Sequence, residues 1–197
     1  VLSPKVSRND RNSWPLIGDA AAITIIEKSE DENPVYANVK VDGTGADVLI
    51  IPAGGARWPH SEETAEIVED EAGNKRSLDN LVMKGDEVFN FVQREVPPMI
   101  KHLMEVSGTD KDAVDWYMFH QPNKFMLQYV QKKCQLMDVP FFNDVEKTGN
   151  TVAASIPLGL ESVLRERPAE ELRHVLMAGF GVGLSWAGCV ADCSRML

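Results

Sequence analysis

The chain is 197 residues long, 44% apolar and 25% charged, which suits one large soluble domain or a domain plus a fragment of another. Its formal net charge of -10 argues against a protein that tracks nucleic-acid phosphates, although a local basic patch is compatible with it. No window nears the ~18 consecutive apolar residues of a membrane span, and no charged-then-apolar leader opens the chain. Much of the acid falls in two runs, 27–32 and 62–71, read as solvated surface. The three cysteines Cys134, Cys189 and Cys193 form no CxxC pair, and no histidine stands at zinc-finger spacing, so no metal site is expected. So sparse a set suits a reducing, cytoplasmic setting. Cys189 and Cys193 fall in one expected strand, where four residues span ~13 Å, so they read as buried free thiols.

In chain order, residues 20–26 (AAAITII) read as a short buried strand, broken by Asp31-Glu32-Asn33-Pro34 as a turn or domain joint. Residues 35–41 alternate like a strand. Residues 43–55 carry four glycines around the apolar run 48–51, and 57–78 is a polar, acidic surface excursion. Val88, Phe89, Val92, Val96, Met99, Ile100 and Leu103 recur at helical spacing. Asp86 is the expected N-cap of that helix, Pro97-Pro98 should kink or break it, and Gly108 ends it. Residues 116–119 read as a strand, Asn123 begins a second helix, and Thr151 begins a third that runs to about Arg165. Residues 175–180 and 184–191 are two more strands, and their short glycine-rich connection implies an antiparallel hairpin. Strands alternating with helices predict a layered α/β domain around a largely buried sheet.

Three segments carry the candidate chemistry. His120-Gln121-Pro122-Asn123 joins a strand end to a helix start. Gly149-Asn150-Thr151-Val152-Ala153-Ala154-Ser155-Ile156-Pro157 enters a helix, and Gly179-Phe180-Gly181-Val182-Gly183 forms the hairpin. Strand ends are where side chains of α/β sheets converge on ligands. Each segment also has a plain structural reading. His120 fits a hydrogen-bonded core histidine, and Asn123 and Asn150 fit helix caps. Ala153 and Ala154 fit close helix packing, and Gly181 and Gly183 fit a tight turn.

Together the three resemble the ketoacyl-acyl-carrier-protein synthase III group of the thiolase superfamily. That group has His-Gln-x-Asn, Gly-Asn-Thr-x-Ala-Ala-Ser-x-Pro and Gly-Phe-Gly-x-Gly-x-x-Trp segments in this order, and Trp186 completes the last one here. Asp10-Arg11, Gly18-Asp19-Ala20, the stretch 43–55 and the helix start at 85–89 are similar to further family segments, so the resemblance covers nearly the whole chain. It implies the C-terminal half of a thiolase-like layered α/β fold, with a mixed sheet packed by helices. Residues 1–33 would be the end of the N-terminal half and 34–197 the C-terminal half.

The family's reaction is a decarboxylative condensation of an acyl-coenzyme A primer with a malonyl-acyl carrier protein, in fatty acid biosynthesis. By resemblance, His120 and Asn150 are the catalytic pair, neutral donors to the thioester oxygen that becomes negative when carbon dioxide leaves. The backbone N–H of Val182 would serve a second oxyanion hole, for the acyl-cysteine carbonyl. Arg11 matches an arginine that stacks on the adenine of coenzyme A, with a surface salt bridge as the alternative. Gly85, Phe89 and Asn123 match walls of the pantetheine tunnel, and Lys124 a carrier-protein contact, although Phe125 replaces the commoner arginine. Ala20 stands where glycine is usual, which requires an ordinary backbone conformation or a slight shift there. No resident cofactor and no metal are implied, since coenzyme A and phosphopantetheine thioesters are substrates. The implied partners are acyl carrier protein, acyl-coenzyme A and, at full length, a second copy in a homodimer, with no nucleic acid and no membrane.

None of the three cysteines matches the family's nucleophile, which lies in its N-terminal half. The chain is therefore expected to be inactive alone, to derive from a longer protein, and to expose a large apolar face. The patternless opening at Val1 fits such a cut, or a processed start. Two other expectations remain open: a non-catalytic acyl-binding partner subunit, and a secondary-metabolite condensing enzyme on the same scaffold.

Overall fold

A computed structural model describes residues 1–28 and 33–196. Twelve regular elements follow one another in the described residues: β1 (Tyr36–Val41), β2 (Leu49–Ile50), β3 (Val68–Glu69), β4 (Lys75–Arg76), β5 (Val82–Met83), α1 (Gly85–Ser107), β6 (Trp116–Phe119), α2 (Lys124–Lys133), α3 (Val145–Thr148), α4 (Ser155–Leu164), β7 (Val175–Gly181) and β8 (Ser185–Ala191). The main sheet has the order β1-β8-β7-β6. β8 runs antiparallel to both β1 and β7, and β6 runs parallel to β7, so the sheet is mixed. The expected hairpin is present, with Phe180 opposite Trp186 and Gly181 opposite Ser185.

Strand side chains alternate between the two faces. Leu176, Ala178 and Phe180 of β7, with Trp186 and Val190 of β8, share a buried cluster with α1 residues Val88, Phe91, Val92, Val96, Met99, Ile100 and Leu103. The Phe91 and Trp186 rings meet edge to face at 5.5 Å. α1 lies so close that a Cβ on Gly188 would sit 2.7 Å from Leu103 Cδ1 and 2.9 Å from the Met177 carbonyl oxygen. α2 lies against the same helix, with Phe89 stacked edge to face on Tyr129 at 4.8 Å. On the other face, Leu160 and Val163 of α4 pack with Met118, Leu172, Val175 and Cys193. α4 covers only the β6 side. Beyond it Ala37, Val39, Gly179, Ala187 and Cys189 line an open groove, with Val39 74% exposed.

Five expectations need correction. The first is the break at Pro97-Pro98, since α1 is continuous through both prolines; its expected end at Gly108 is present, in the left-handed conformation (φ 65°). Each internal proline costs about 3 kcal/mol. Buried side chains on both sides of the pair clamp the two halves to one sheet, and burial contributes about 1.5–3 kcal/mol for each. Second, the N-cap is Lys84, without a side-chain bond; Asp86 sits inside the first turn with Glu87, where both acids favour the helix dipole. Third, residues 20–26 form no strand, and Ile23, Ile25 and Ile26 are 92%, 88% and 90% exposed. An apolar run becomes a strand only beside a neighbour that pairs with it, and no described strand does so.

Fourth, the excursion 57–78 is not all surface. Thr64 and Asn74 are buried in it, and Arg76 bonds buried Asp10 at 2.8 Å and also Asp70, which ties the β3–β4 hairpin to the start of the chain. Fifth, Cys193 lies past the end of β8, and α4 begins at Ser155 after a 3-10 turn at Val152–Ala154. Part of the expected joint at 31–34, Asp31 and Glu32, lies outside the described residues, as do Glu30 and Glu32 of the first acidic run. No described helix is long and apolar enough to cross a membrane.

Candidate active site

His120 follows β6 directly, and its N–H donates to the Ala178 carbonyl at 2.8 Å, which continues the β6–β7 ladder by one residue. Its ring is held from two sides. Nδ1 lies 2.9 Å from Ser155 Oγ, and the Phe180 ring meets it edge to face at 5.6 Å. Burial pushes the imidazole down to about 4, so the ring is neutral at pH 7. The next residue, Gln121, is fully buried. Its amide donates to the carbonyls of Phe119 and Phe142 and accepts from the Asp144 N–H, which anchors the loop before α3.

Asn150 is positioned by the start of the chain. Its N–H donates to Leu16 O at 2.7 Å, and its carbonyl accepts from Gly18 N at 2.9 Å, as a one-residue bridge between Ile17 and Asn150. Only glycine fits at 18, since a Cβ there would lie 1.9 Å from the Thr148 carbonyl oxygen. Asn150 Oδ1 accepts from Val152 N at 2.9 Å. That bond identifies the oxygen end of the amide and leaves the two Nδ2 hydrogens as donors to a ligand. The third piece is the β7–β8 turn, where Val182 is exposed and its carbonyl accepts from Ser185 Oγ at 2.6 Å.

His120, Asn150 and Val182 line a single groove of about 720 Å³, on the bare face of the sheet. Its walls are largely apolar. Among the described lining residues the one formal charge is Lys40, and no carboxylate is present. The groove thus gathers neutral polar groups, the His120 ring, the Asn150 amide and the backbone of the Val182 turn, on a largely apolar wall.

The other expected site residues lie outside this groove. Arg11 is exposed and donates to the Ala72 carbonyl at 2.7 Å. Gly85 opens α1 at the surface, and Phe89 packs on Phe125 and Tyr129. Asn123 caps α2 by accepting from Met126 N at 2.8 Å, and Lys124 pairs with Glu146 at 2.9 Å. Ala20 keeps a backbone that is not left-handed. All three cysteines are free, and burial raises each thiol: Cys134 to about 12, Cys193 to about 11, and Cys189 in the same direction. They are protonated at neutral pH and are not activated nucleophiles. Among the described residues no group of three or more His, Cys, Asp or Glu side chains is placed to hold a metal ion. Sequence reasoning missed Ser155 and the Leu16 and Gly18 contacts to Asn150. Ser155 stood in plain sight in the segment 149–157, but its bond to His120 depends on the fold.

Residues 104–193 match the model of a family described as 3-oxoacyl-[acyl-carrier-protein] synthase III C terminal. The chain matches the C-terminal region of that synthase family. A beta-ketoacyl-[acyl-carrier-protein] synthase III from Caldanaerobacter subterraneus is 30% identical over 196 residues, which are 99% of this chain and 56% of the relative. One from Chlamydia pneumoniae is 30% identical over 191 residues, 96% of this chain and 54% of the relative. A crystal structure of a 3-oxoacyl-(acyl-carrier-protein) synthase III superposes with a TM-score of 0.85 at 34% identity, covering 96% of this chain and 57% of that one. The enzyme from Burkholderia xenovorans LB400 superposes with a TM-score of 0.72 at 35% identity, covering 85% and 47%. The fold is thus thiolase-like, a mixed sheet packed by helices, and the chain spans about half the length of the synthase III relatives it matches.

Proposed function

We propose that this chain supplies the decarboxylating half of a 3-oxoacyl-acyl-carrier-protein synthase III, which condenses an acyl-coenzyme A primer with a malonyl-acyl carrier protein. The observation that carries this reading is the convergence of His120, Asn150 and the Val182 turn on one apolar groove free of carboxylates. In the reaction, the C–C bond to the malonyl carboxylate breaks, carbon dioxide leaves, and the electron pair moves onto the thioester oxygen. The Asn150 amide and a His120 N–H donate to that oxygen, and a lost donor of this type typically costs about 3 kcal/mol. The carbanion carbon then attacks the acyl carbonyl held on a cysteine, whose oxygen receives the Val182 N–H, and the thiolate departs.

That cysteine comes from another region, in the same or a second polypeptide, because none of this chain's raised thiols suits the role. The bare sheet face and the exposed Ile23, Ile25 and Ile26 are where such a region packs. On this reading residues 1–33 are the end of the N-terminal half, 34–197 form the C-terminal half, and the chain is inactive alone. Arg11, Gly85, Phe89 and Asn123 contact coenzyme A or pantetheine, and Lys124 docks the acidic carrier protein. No resident cofactor takes part, and the complete enzyme is a cytoplasmic homodimer.

The test combines the chain with the N-terminal region of the Caldanaerobacter relative and supplies acetyl-coenzyme A and malonyl-acyl carrier protein. Formation of the acetoacetyl product, absent with the chain alone, supports the reading. Acylation of the cysteine without any acetoacetyl product would move the chain to a specialised condensation.

A further inference from the structure

We infer that Ser155 is a positioning residue that sets the tautomer of His120, and that it holds the unliganded ring with its hydrogen on Nδ1 and a lone pair on Nε2. The inference goes beyond the proposed function and rests on it only for its consequence in the reaction. A serine hydroxyl has one hydrogen to give. Ser155 Oγ donates it to the Val152 carbonyl at 2.8 Å. The Gln121 N–H also points at the same oxygen, at 3.4 Å. Toward His120 Nδ1, 2.9 Å away, Ser155 can then only accept. Nδ1 must carry the hydrogen, and in a neutral ring Nε2 is left bare.

The local fold keeps this hydroxyl in place. Ser155 is buried as the first residue of α4, and the turn before it folds back through Val152, whose φ is 56°. That unusual conformation belongs to the residue whose carbonyl takes the serine hydrogen. A ring with a bare Nε2 accepts hydrogen bonds and does not donate them. To serve as the donor proposed above, His120 has to change form. One proton leaves Nδ1 for solvent water and one arrives at Nε2 from water, so none is gained or lost. The Ser155 hydrogen turns from the Val152 carbonyl to the vacated Nδ1 lone pair. Ser155 thereby links the resting ring and the donor ring by rotation about a single bond.

Long-range 15N–1H NMR of the chain with labelled histidine reads the tautomer directly, and a His120→Gln variant assigns its signals among the four histidines. The wild-type chain at pH 7 should show a protonated Nδ1 and an unprotonated Nε2, favoured about tenfold, as one hydrogen bond of ordinary net strength gives. Ser155→Ala should lose most of that bias, and Ser155→Thr, which keeps the hydroxyl, should retain it. A wild-type ring protonated on Nε2 would overturn the inference, as would an unchanged tautomer ratio in Ser155→Ala. None of these readouts uses turnover, so a failure here is separate from a failure of the proposed reaction.

Discussion

Acid should destabilise the chain through His120. Burial lowers its folded-state value to about 4 from an ordinary 6.5, so between those limits the unfolded chain binds a proton that the folded chain refuses. Stability is then fully present above pH 6.5 and is lost as the pH falls toward 4. Integrated over that range, the loss is about 2 kcal/mol by pH 5 and about 3 kcal/mol by pH 4. Carboxylates titrate in the same window, so the comparison needs a variant. His120→Gln removes the titrating ring and keeps an amide that can reach Ser155. Urea unfolding of both proteins at pH 7, 6 and 5 gives the difference. The variant should lose about 2 kcal/mol less than the wild type between pH 7 and 5. Parallel losses in the two proteins would refute the reasoning, because the ring would then titrate alike in both states.

Three further outcomes are expected. Gly18→Ala should push Thr148 and Asn150 away from the first residues and cost about 1–3 kcal/mol in thermal unfolding, because the new methyl would meet backbone. Asp10→Ala should cost about 3 kcal/mol in the same assay, since it strands Arg76 beside a buried site with Asp70 as its remaining ion-pair partner among the described residues. Val39→Lys should shift stability by less than about 0.5 kcal/mol, because the position is exposed. The same variant should nonetheless block association with a cysteine-bearing region, read by co-purification.

Of the candidate site, the three segments that meet at the groove were legible in the sequence, while Arg11, Gly85, Phe89, Asn123 and Lys124 lie outside it. A strand end, a helix start and a glycine turn are local features, and His120, Asn150 and Val182 each sit on one. β6 and the β7–β8 hairpin were legible for the same reason: an apolar run with turn residues on both sides needs no distant information. Distant contacts decided the remainder. The prolines of α1 are local breakers, outweighed by a sheet packed along the whole helix. Residues 20–26 have strand composition but no paired neighbour among the described residues. Thr64 and Asn74 look like surface polars until the β3–β4 hairpin closes over Asp10. The Ser155 bond joins residues far apart in sequence, which no periodicity reveals.

In the proposed function His120 serves decarboxylation and not acylation. With the chain combined with the N-terminal region of a synthase III relative, release of carbon dioxide from malonyl thioester and acyl loading of the cysteine are measured side by side for wild type and His120→Ala. In His120→Ala, carbon dioxide release should fall about 10²–10³-fold while acyl loading stays near wild type. Decarboxylation that survives the substitution, or acylation that vanishes with the fold unchanged, would contradict it.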